Sequence, residues 1–273
     1  MPARKGSARA AAARGSAPAA VRARGAAAGA TPSLAAQVRG ALGALERRAT
    51  KHTLDGMARY GIFTDKAFGV SVGDVQRIAK PLGRSHDLAM ALWDPGWYEA
   101  RLLAAFIDEP ERVTPAQMDR WCRDFDNWGV VDTLCFKLFD RTPHAWAKVT
   151  QWATKRGEFQ KRAAFALLAS LAGHDKTSGN APFLDGLRLI EEAADDDRNF
   201  VKKGVNWALR AVGRRNVALN AAAVSVARRL AASPEAAPRW VGKDALRELA
   251  SPAVLRRLTA KRDAAAERAA RRG

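Results

Sequence analysis

Residues 124–140 of the chain read DFDNWGVVDTLCFKLFD, and the periodicity of this stretch decides the fold class. Its apolar side chains recur at steps of three and four residues, at Val131, Leu134 and Leu138. That spacing is typical of a helix with one buried face, so we predict a helix across the whole stretch. Helical periodicity continues from residue 33 onward, and alternating patterns bounded by hairpin turns are nearly absent. The sequence therefore predicts an all-α protein.

The amino-terminal end of this predicted helix carries an unusual pair of side chains. Asp126 or Asn127 is a suitable N-cap, and Trp128 and Asp132 follow four residues apart on one helix face. An indole attracts cations and a carboxylate stabilises a developing positive charge, so the pair can hold a cationic group. In the alternative, structural interpretation, Trp128 packs in the core and Asp132 bonds a neighbouring helix.

An aromatic residue opens each of four predicted helices. These residues are Tyr98, Trp128, Phe159 and Phe200, at spacings of 30, 31 and 41 residues. A period of this size is typical of stacked helical hairpins. We therefore predict an α-solenoid of HEAT-like repeats with a concave basic groove.

The composition points to a polyanionic partner. The chain has 273 residues and a formal net charge of +18, which favours nucleic acid, with an anionic membrane surface as the competing partner. Residues 1–32 carry six of the positive charges and no acid, and they predict a disordered basic arm. A mitochondrial transit peptide is the alternative for this segment. Residues 33–255 are the predicted folded domain, and residues 256–273 a final helix that frays into a basic tail.

Cysteine usage and hydropathy indicate a cytoplasmic, nucleoid-associated protein. Cys122 and Cys135 both fall in predicted helices, which favours a reducing compartment and buried thiols. No apolar run reaches the roughly 18 residues of a transmembrane helix, and the amino terminus lacks the apolar segment of a secretory signal. The four histidines are scattered and predict no metal site. Nothing in the sequence demands an oligomer, so we expect a monomer.

The segment from Asn199 to Val212 predicts a helix with two contrasting faces. One face is a buried stripe formed by Val201, Val205, Ala208, Leu209 and Val212. Another face is basic and carries, at steps of four, three and four, Lys203, Trp207, Arg210 and Arg214. A tryptophan within a row of cations indicates stacking against a base, with flanking phosphate contacts.

The helix that begins near Phe159 presents an arginine on the same face as a row of small residues. Arg162 is followed on its face by the small residues Ala166, Ala169 and Gly173, which would let a bulky partner approach closely. The alternative is that Arg162 pairs with an acid of the next repeat.

A stack with one concave face would bring Trp128, Asp132, Arg162 and Trp207 to a single groove. These four side chains are neither a metal site nor a nucleophile with its base. They suit a cationic substrate embedded in a polyanion: the indoles would hold the cation, Asp132 would stabilise charge, and Arg162 would grip phosphate.

At these residues the sequence resembles the DNA alkylation repair family, the HEAT-like-repeat DNA glycosylases. The resemblance spans roughly residues 57–230. The matching stretches, in order, are FGVSVGDVQRIAK (68–80), DLAMALWDPGWYEARLLAAF (87–106), DRWCRDFDNWGVVD (119–132), EFQKRAAFALLASLAGHDK (158–176) and DDDRNFVKKGVNWALRAVGRRN (195–216).

The resemblance implies a solenoid that cradles duplex DNA and hydrolyses the N-glycosidic bond of cationic N3- or N7-alkylated purines, with no metal or organic cofactor. It implies that the functional residues are Trp128, Asp132, Arg162 and Trp207. Asp132 is then expected to stay ionised, to stabilise an oxocarbenium-like sugar and to position water. One departure is Gly129, where many relatives carry an acid or another polar residue.

The phosphate contacts are predicted to come from basic residues around this groove. We assign them to Lys161, Lys202, Lys203, Arg210, Arg214 and Arg77. Two other functions stay open. One is a non-catalytic DNA-binding protein that recognises damaged or structured DNA, and the other is a helical-repeat scaffold for proteins.

Overall fold

The computed structural model describes residues 32–271, apart from the side chains of Ala265 and Ala269. Residues 1–31 of the predicted arm and residues 272–273 of the predicted tail lie outside this range. Between residues 32 and 271 the chain forms fourteen α-helices and two 3₁₀ turns, with no strand. The all-α prediction is confirmed.

The helices follow one another with short connections. The first seven are α1 (Leu34–Glu46), α2 (Lys51–Met57), α3 (Val72–Leu82), α4 (His86–Trp93), α5 (Tyr98–Ile107), α6 (Pro115–Arg123) and α7 (Trp128–Lys137). The other seven are α8 (Ala145–Ala153), α9 (Glu158–His174), α10 (Ala181–Glu192), α11 (Asn199–Gly213), α12 (Val217–Ala231), α13 (Ala236–Leu249) and α14 (Pro252–Ala270). The 3₁₀ turns are Ala58–Tyr60 and Phe139–Arg141.

Two rows of helices build the stack. In one row α5 packs on α7, α7 on α9, α9 on α11 and α11 on α13, and in the other α8 packs on α10 and α10 on α12. The four aromatic residues that predicted the repeat all lie at the start of a helix of the first row. Tyr98 and Trp128 are the first residues of α5 and α7, and Phe159 and Phe200 the second residues of α9 and α11. These helices therefore begin at corresponding points of successive repeats.

The core lies between the two rows, and the predicted apolar stripes supply it. The stripe of α11 is fully buried, as are Val131, Leu134 and Leu138 of the central stretch. Both cysteines are buried free thiols, and burial raises the pKa of Cys122 to about 12. Within residues 32–271, no group of three or more His, Cys, Asp and Glu side chains could hold a metal ion. None of the helices in this range is long and apolar enough to cross a bilayer.

The central helix is shorter than predicted. It begins at Trp128, because the Asn127 side chain accepts a hydrogen bond from the Val130 backbone N–H at 3.0 Å. Asp126 does not cap the helix, since its carboxylate accepts a hydrogen bond from the Asn127 side chain instead. At the other end, Leu138 leaves the helical conformation, with φ −133° and ψ −62°, and a 3₁₀ turn follows.

Candidate nucleic-acid interface

A buried ion pair between Asp132 and Arg162 joins three helices of the first row. The Arg162 Nε and Nη2 atoms donate to the two carboxylate oxygens of Asp132, at 3.0 and 2.8 Å. The Nη1 atom donates to the Phe200 carbonyl oxygen at 2.8 Å. Arg162 thus links α7, α9 and α11, and its guanidinium faces these partners rather than a position where it could grip phosphate. Its acidic partner belongs to the preceding repeat, not to the next one.

The two charges of this pair differ in access to solvent. The Arg162 side chain is 8% exposed and the Asp132 side chain 19% exposed. Burial raises the pKa of Asp132 above its ordinary value, and the charge and hydrogen bonds of Arg162 oppose that rise. The arginine therefore fixes the orientation of the carboxylate of a partly exposed side chain.

Trp128 and Gly129 at the start of α7 pack against the first repeats. The Trp128 Nε1 atom donates to the Tyr60 carbonyl oxygen at 2.7 Å, and the indole is half-buried. A Cβ atom on Gly129 would lie 2.5 Å from the Tyr98 hydroxyl and 3.2 Å from the Ile62 Cδ1 atom. Residue 129 has no room for a side chain, because the Tyr98 hydroxyl already occupies that volume. This contact explains the departure from the family pattern that the sequence showed.

Trp207 lies further along the same surface and stacks on an aromatic residue that the sequence analysis missed. The rings of Phe136 and Trp207 are 4.9 Å apart and parallel to within 1°. Phe136 follows Asp132 by four residues, so Trp128, Asp132 and Phe136 share one face of α7. The spacing of four residues between Asp132 and Phe136 could have identified Phe136 from the sequence.

The stacked rings line a basic cleft with a volume of about 680 Å³. Small residues of α9 and α11 form part of its wall, which includes the face of Ala169 and Gly173 that the sequence predicted. No acidic residue is among the lining residues of this cleft. The cations that line it are Lys176, Arg214, Arg215, Arg257, Lys261 and Arg268.

Most of the cations predicted to contact phosphate form ion pairs with acids. Lys161 pairs with Asp196 at 2.9 Å. Arg210 and Arg214 share the carboxylate of Glu248, at 2.8 and 2.9 Å.

The other three cations of that set lie in different surroundings. Arg77 pairs with Asp74, and the Lys202 ammonium lies 5.5 Å from the centre of the Trp240 ring. Lys203 is exposed and makes no ion pair or hydrogen bond within the described residues.

The fold and these surfaces define the class of a HEAT-like helical-repeat protein, and comparisons give the family. A family model described as DNA alkylation repair enzyme matches residues 41–249. The chain belongs to this family. A comparison with curated proteins gives no match.

A solved structure supports the assignment of the fold. It is described as a new family of proteins related to the HEAT-like repeat DNA glycosylases with affinity for branched DNA structures. It superposes on this chain with a TM-score of 0.64 at 22% identity, covering 70% of this chain and 82% of that one. At this identity the likeness establishes the HEAT-like fold.

Proposed function

We propose that the protein is a DNA glycosylase that hydrolyses the N-glycosidic bond of cationic N3- or N7-alkylated purines in duplex DNA. The observation that carries this proposal is the Asp132 carboxylate, which Arg162 holds in a fixed orientation through two hydrogen bonds on a side chain that is partly exposed. A carboxylate oriented in advance stabilises positive charge without reorganising during the reaction. Trp128 lies one helical turn away and offers an aromatic face to a cation.

The chemistry needs one fixed negative charge. When the bond between the sugar C1′ and the alkylated base breaks, its electron pair goes to the base and neutralises the positive charge there. The sugar becomes oxocarbenium-like, and Asp132 stabilises this cation. Water then adds to C1′ and loses its proton to Asp132 or to solvent, which leaves an abasic sugar and the free base.

The test is the release of 7-methylguanine and 3-methyladenine from methylated duplex DNA. Asp132→Asn is expected to lower the rate by about 10²–10³, because one electrostatic contact in the transition state is lost. Asp126→Asn is the matched control, since Asp126 is exposed and makes no contact with Arg162. Binding of undamaged duplex should be the same in both variants. Equal release by both variants would overturn the assignment of Asp132.

A second candidate function is the binding of branched or structured DNA without base release. The solved relative is described as having affinity for branched DNA. In addition, the hydrogen bonds of Arg162 are all with groups of the protein itself, so they do not require a substrate. No release by the wild-type protein, with tight and salt-sensitive binding retained, would favour this function. Failure to bind DNA at all would instead favour a protein-binding scaffold.

A further inference from the structure

The terminal helix α14 carries three cations that no acid neutralises. Arg257, Lys261 and Arg268 are exposed, and none makes an ion pair or a hydrogen bond within the described residues. They follow one another by four and seven residues, which places them on one face of the helix. Because α14 lies beyond the residues that match the family model, the match does not account for this face.

This face of α14 is one wall of the basic cleft, and the stacked rings of Phe136 and Trp207 lie in the same cleft. A row of cations beside an aromatic platform is the arrangement that binds a single nucleic-acid strand, with phosphates on the cations and a base on the ring. Among the described residues the lining holds no acid, so the net charge of the lining is positive even though Glu248 pairs with Arg214.

The dimensions of the cleft fit a nucleic-acid strand. Its volume of about 680 Å³ falls in the range of roughly 300–1,000 Å³ of sites that take a ligand of small-molecule size, such as a nucleotide. Eleven residues separate Arg257 from Arg268, which is about 16 Å along the helix axis. This length matches several consecutive phosphates of one strand, at about 3.4 Å per nucleotide when stacked.

We propose that this cleft binds a single DNA strand, such as the unpaired arm of a branched or tailed duplex. Its phosphates contact Arg257, Lys261 and Arg268, and one base contacts the Trp207–Phe136 pair. The inference deepens the proposed function and rests on DNA being the partner of the protein. It does not depend on the catalytic role of Asp132.

The experiment compares a blunt duplex with the same duplex carrying a single-stranded tail of about ten nucleotides. Affinity is measured by fluorescence anisotropy over a series of salt concentrations. The cleft variant is Arg257→Gln/Lys261→Gln/Arg268→Gln. The control variant is Lys243→Gln/Arg256→Gln/Arg271→Gln, which removes three exposed cations that make no ion pair within the described residues and lie outside the cleft. Glutamine has nearly the helix propensity of arginine and lysine, so both variants should keep α14 folded.

The wild-type protein is expected to bind the tailed duplex more tightly than the blunt one. The cleft variant should lose this preference, and its salt slope for the tailed duplex should fall by about 2, since each single-strand phosphate contact contributes about 0.7. The control variant should keep the preference. Equal losses in both variants, or no preference in the wild type, would overturn the proposal.

Trp207→Ala tests the aromatic part of the cleft. It should weaken binding of the tail by about tenfold, as expected for one lost base stack, while the salt slope stays unchanged. Unchanged affinity for the tail would contradict a strand inside the cleft. If the wild type releases no base, the tail preference still decides this proposal by itself.

Discussion

The Asp132–Arg162 pair and the α14 cleft lie on the same side of the helix stack, but their charges differ in burial and in pairing. Arg162 is 8% exposed and gives its donors to a carboxylate and a carbonyl group. Arg257, Lys261 and Arg268 are exposed and have no acidic partner among residues 32–271. A desolvated and paired charge fixes geometry, whereas an exposed and unpaired charge attracts a polyanion in a salt-dependent way. The first region is suited to chemistry and the second to holding a strand.

The comparison also shows that a basic composition does not tell how many cations are available to bind phosphate. Lys161, Arg210 and Arg214 were predicted to bind phosphate, yet each forms an ion pair with a carboxylate that it shares with a second cation. Lys203 stays unpaired within the described residues, as do Arg257, Lys261 and Arg268 on α14, where the sequence predicted a final helix that frays into a basic tail. Variants that break an ion pair, or that remove an unpaired cation, can therefore separate the two roles of charge, which are to fix geometry and to attract a polyanion.

The largest effect is expected from Arg162→Gln. The change leaves the partly buried Asp132 carboxylate without its cation and the Phe200 carbonyl without its donor. We expect a loss of about 2–4 kcal/mol in the free energy of unfolding, at the lower end for buried pairs because Asp132 is partly exposed. Base release should fall as well. Urea denaturation and the salt slope of duplex binding are the measurements, and the salt slope should not change.

Lys203→Gln is the counterpart of that variant. Lys203 is exposed and has no partner in the part of the chain that the structure describes, so its loss should leave stability within about 0.5 kcal/mol and lower the salt slope by about one. A lower salt slope in Arg162→Gln would show that Arg162 contacts phosphate. That result would contradict its assignment to the ion pair with Asp132.

The next largest effect concerns Gly129→Ala. The added Cβ atom would lie 2.5 Å from the Tyr98 hydroxyl, so the buried ring must move. Overpacking of this kind costs about 1–3 kcal/mol. In a double-mutant cycle, Gly129→Ala/Tyr98→Phe should recover at least half of the loss, because the phenylalanine lacks the clashing oxygen. Additive effects of the two changes would show that the contact does not determine residue 129.

A smaller effect is expected from Asp196→Asn, and it depends on pH. Hydrogen bonds from Arg198 and Lys161 lower the pKa of Asp196 from 3.8 to about 2. A carboxyl group whose pKa is lowered by folding stabilises the protein above its unfolded pKa, and the stabilisation is lost as the pH falls through the folded pKa. The variant should be about 1–2 kcal/mol less stable at pH 7, and the difference should disappear near pH 2.

Asp195→Asn is the control for this measurement, since Asp195 is exposed and makes no hydrogen bond. Its stability should follow that of the wild type across the pH range to within about 0.5 kcal/mol. A constant difference between Asp196→Asn and wild type from pH 7 to pH 2 would contradict an electrostatic cause.

The smallest effect is a gain. Glu248→Gln removes the carboxylate that Arg210 and Arg214 share, which frees both cations beside the cleft. We expect DNA affinity to rise by roughly threefold to tenfold and the salt slope to steepen by about one to two. Fluorescence anisotropy at several salt concentrations measures both. Weaker binding in this variant would place the two arginines outside the interface.

Periodicity predicted the parts of the structure that depend on local spacing. The two faces of α11 follow from its step of 3.6 residues, and the aromatic residues that open α5, α7, α9 and α11 revealed the repeat. The same reasoning could have added Phe136, which continues the row of Trp128 and Asp132 at the next step of four.

Partners that are distant in sequence could not be predicted in this way. Asp132 and Arg162 are 30 residues apart, and Glu248 follows Arg210 by 38 residues. Which acid meets which arginine depends on how neighbouring helices align, and a single sequence does not encode that register in any local pattern. The need for glycine at residue 129 has the same origin, because the Tyr98 hydroxyl reaches it from another repeat.

The position of α14 at the end of the stack has a consequence for how such proteins diversify. α14 packs against α12 and α13, and in a helical array each unit depends mainly on its immediate neighbours. Asp132 and Arg162 lie on α7 and α9, in earlier units of the stack, and α14 meets these helices only across the cleft. A lineage can therefore replace, shorten or recharge its terminal helix, and so change which DNA architecture it prefers, while it inherits the chemistry of the central repeats unaltered.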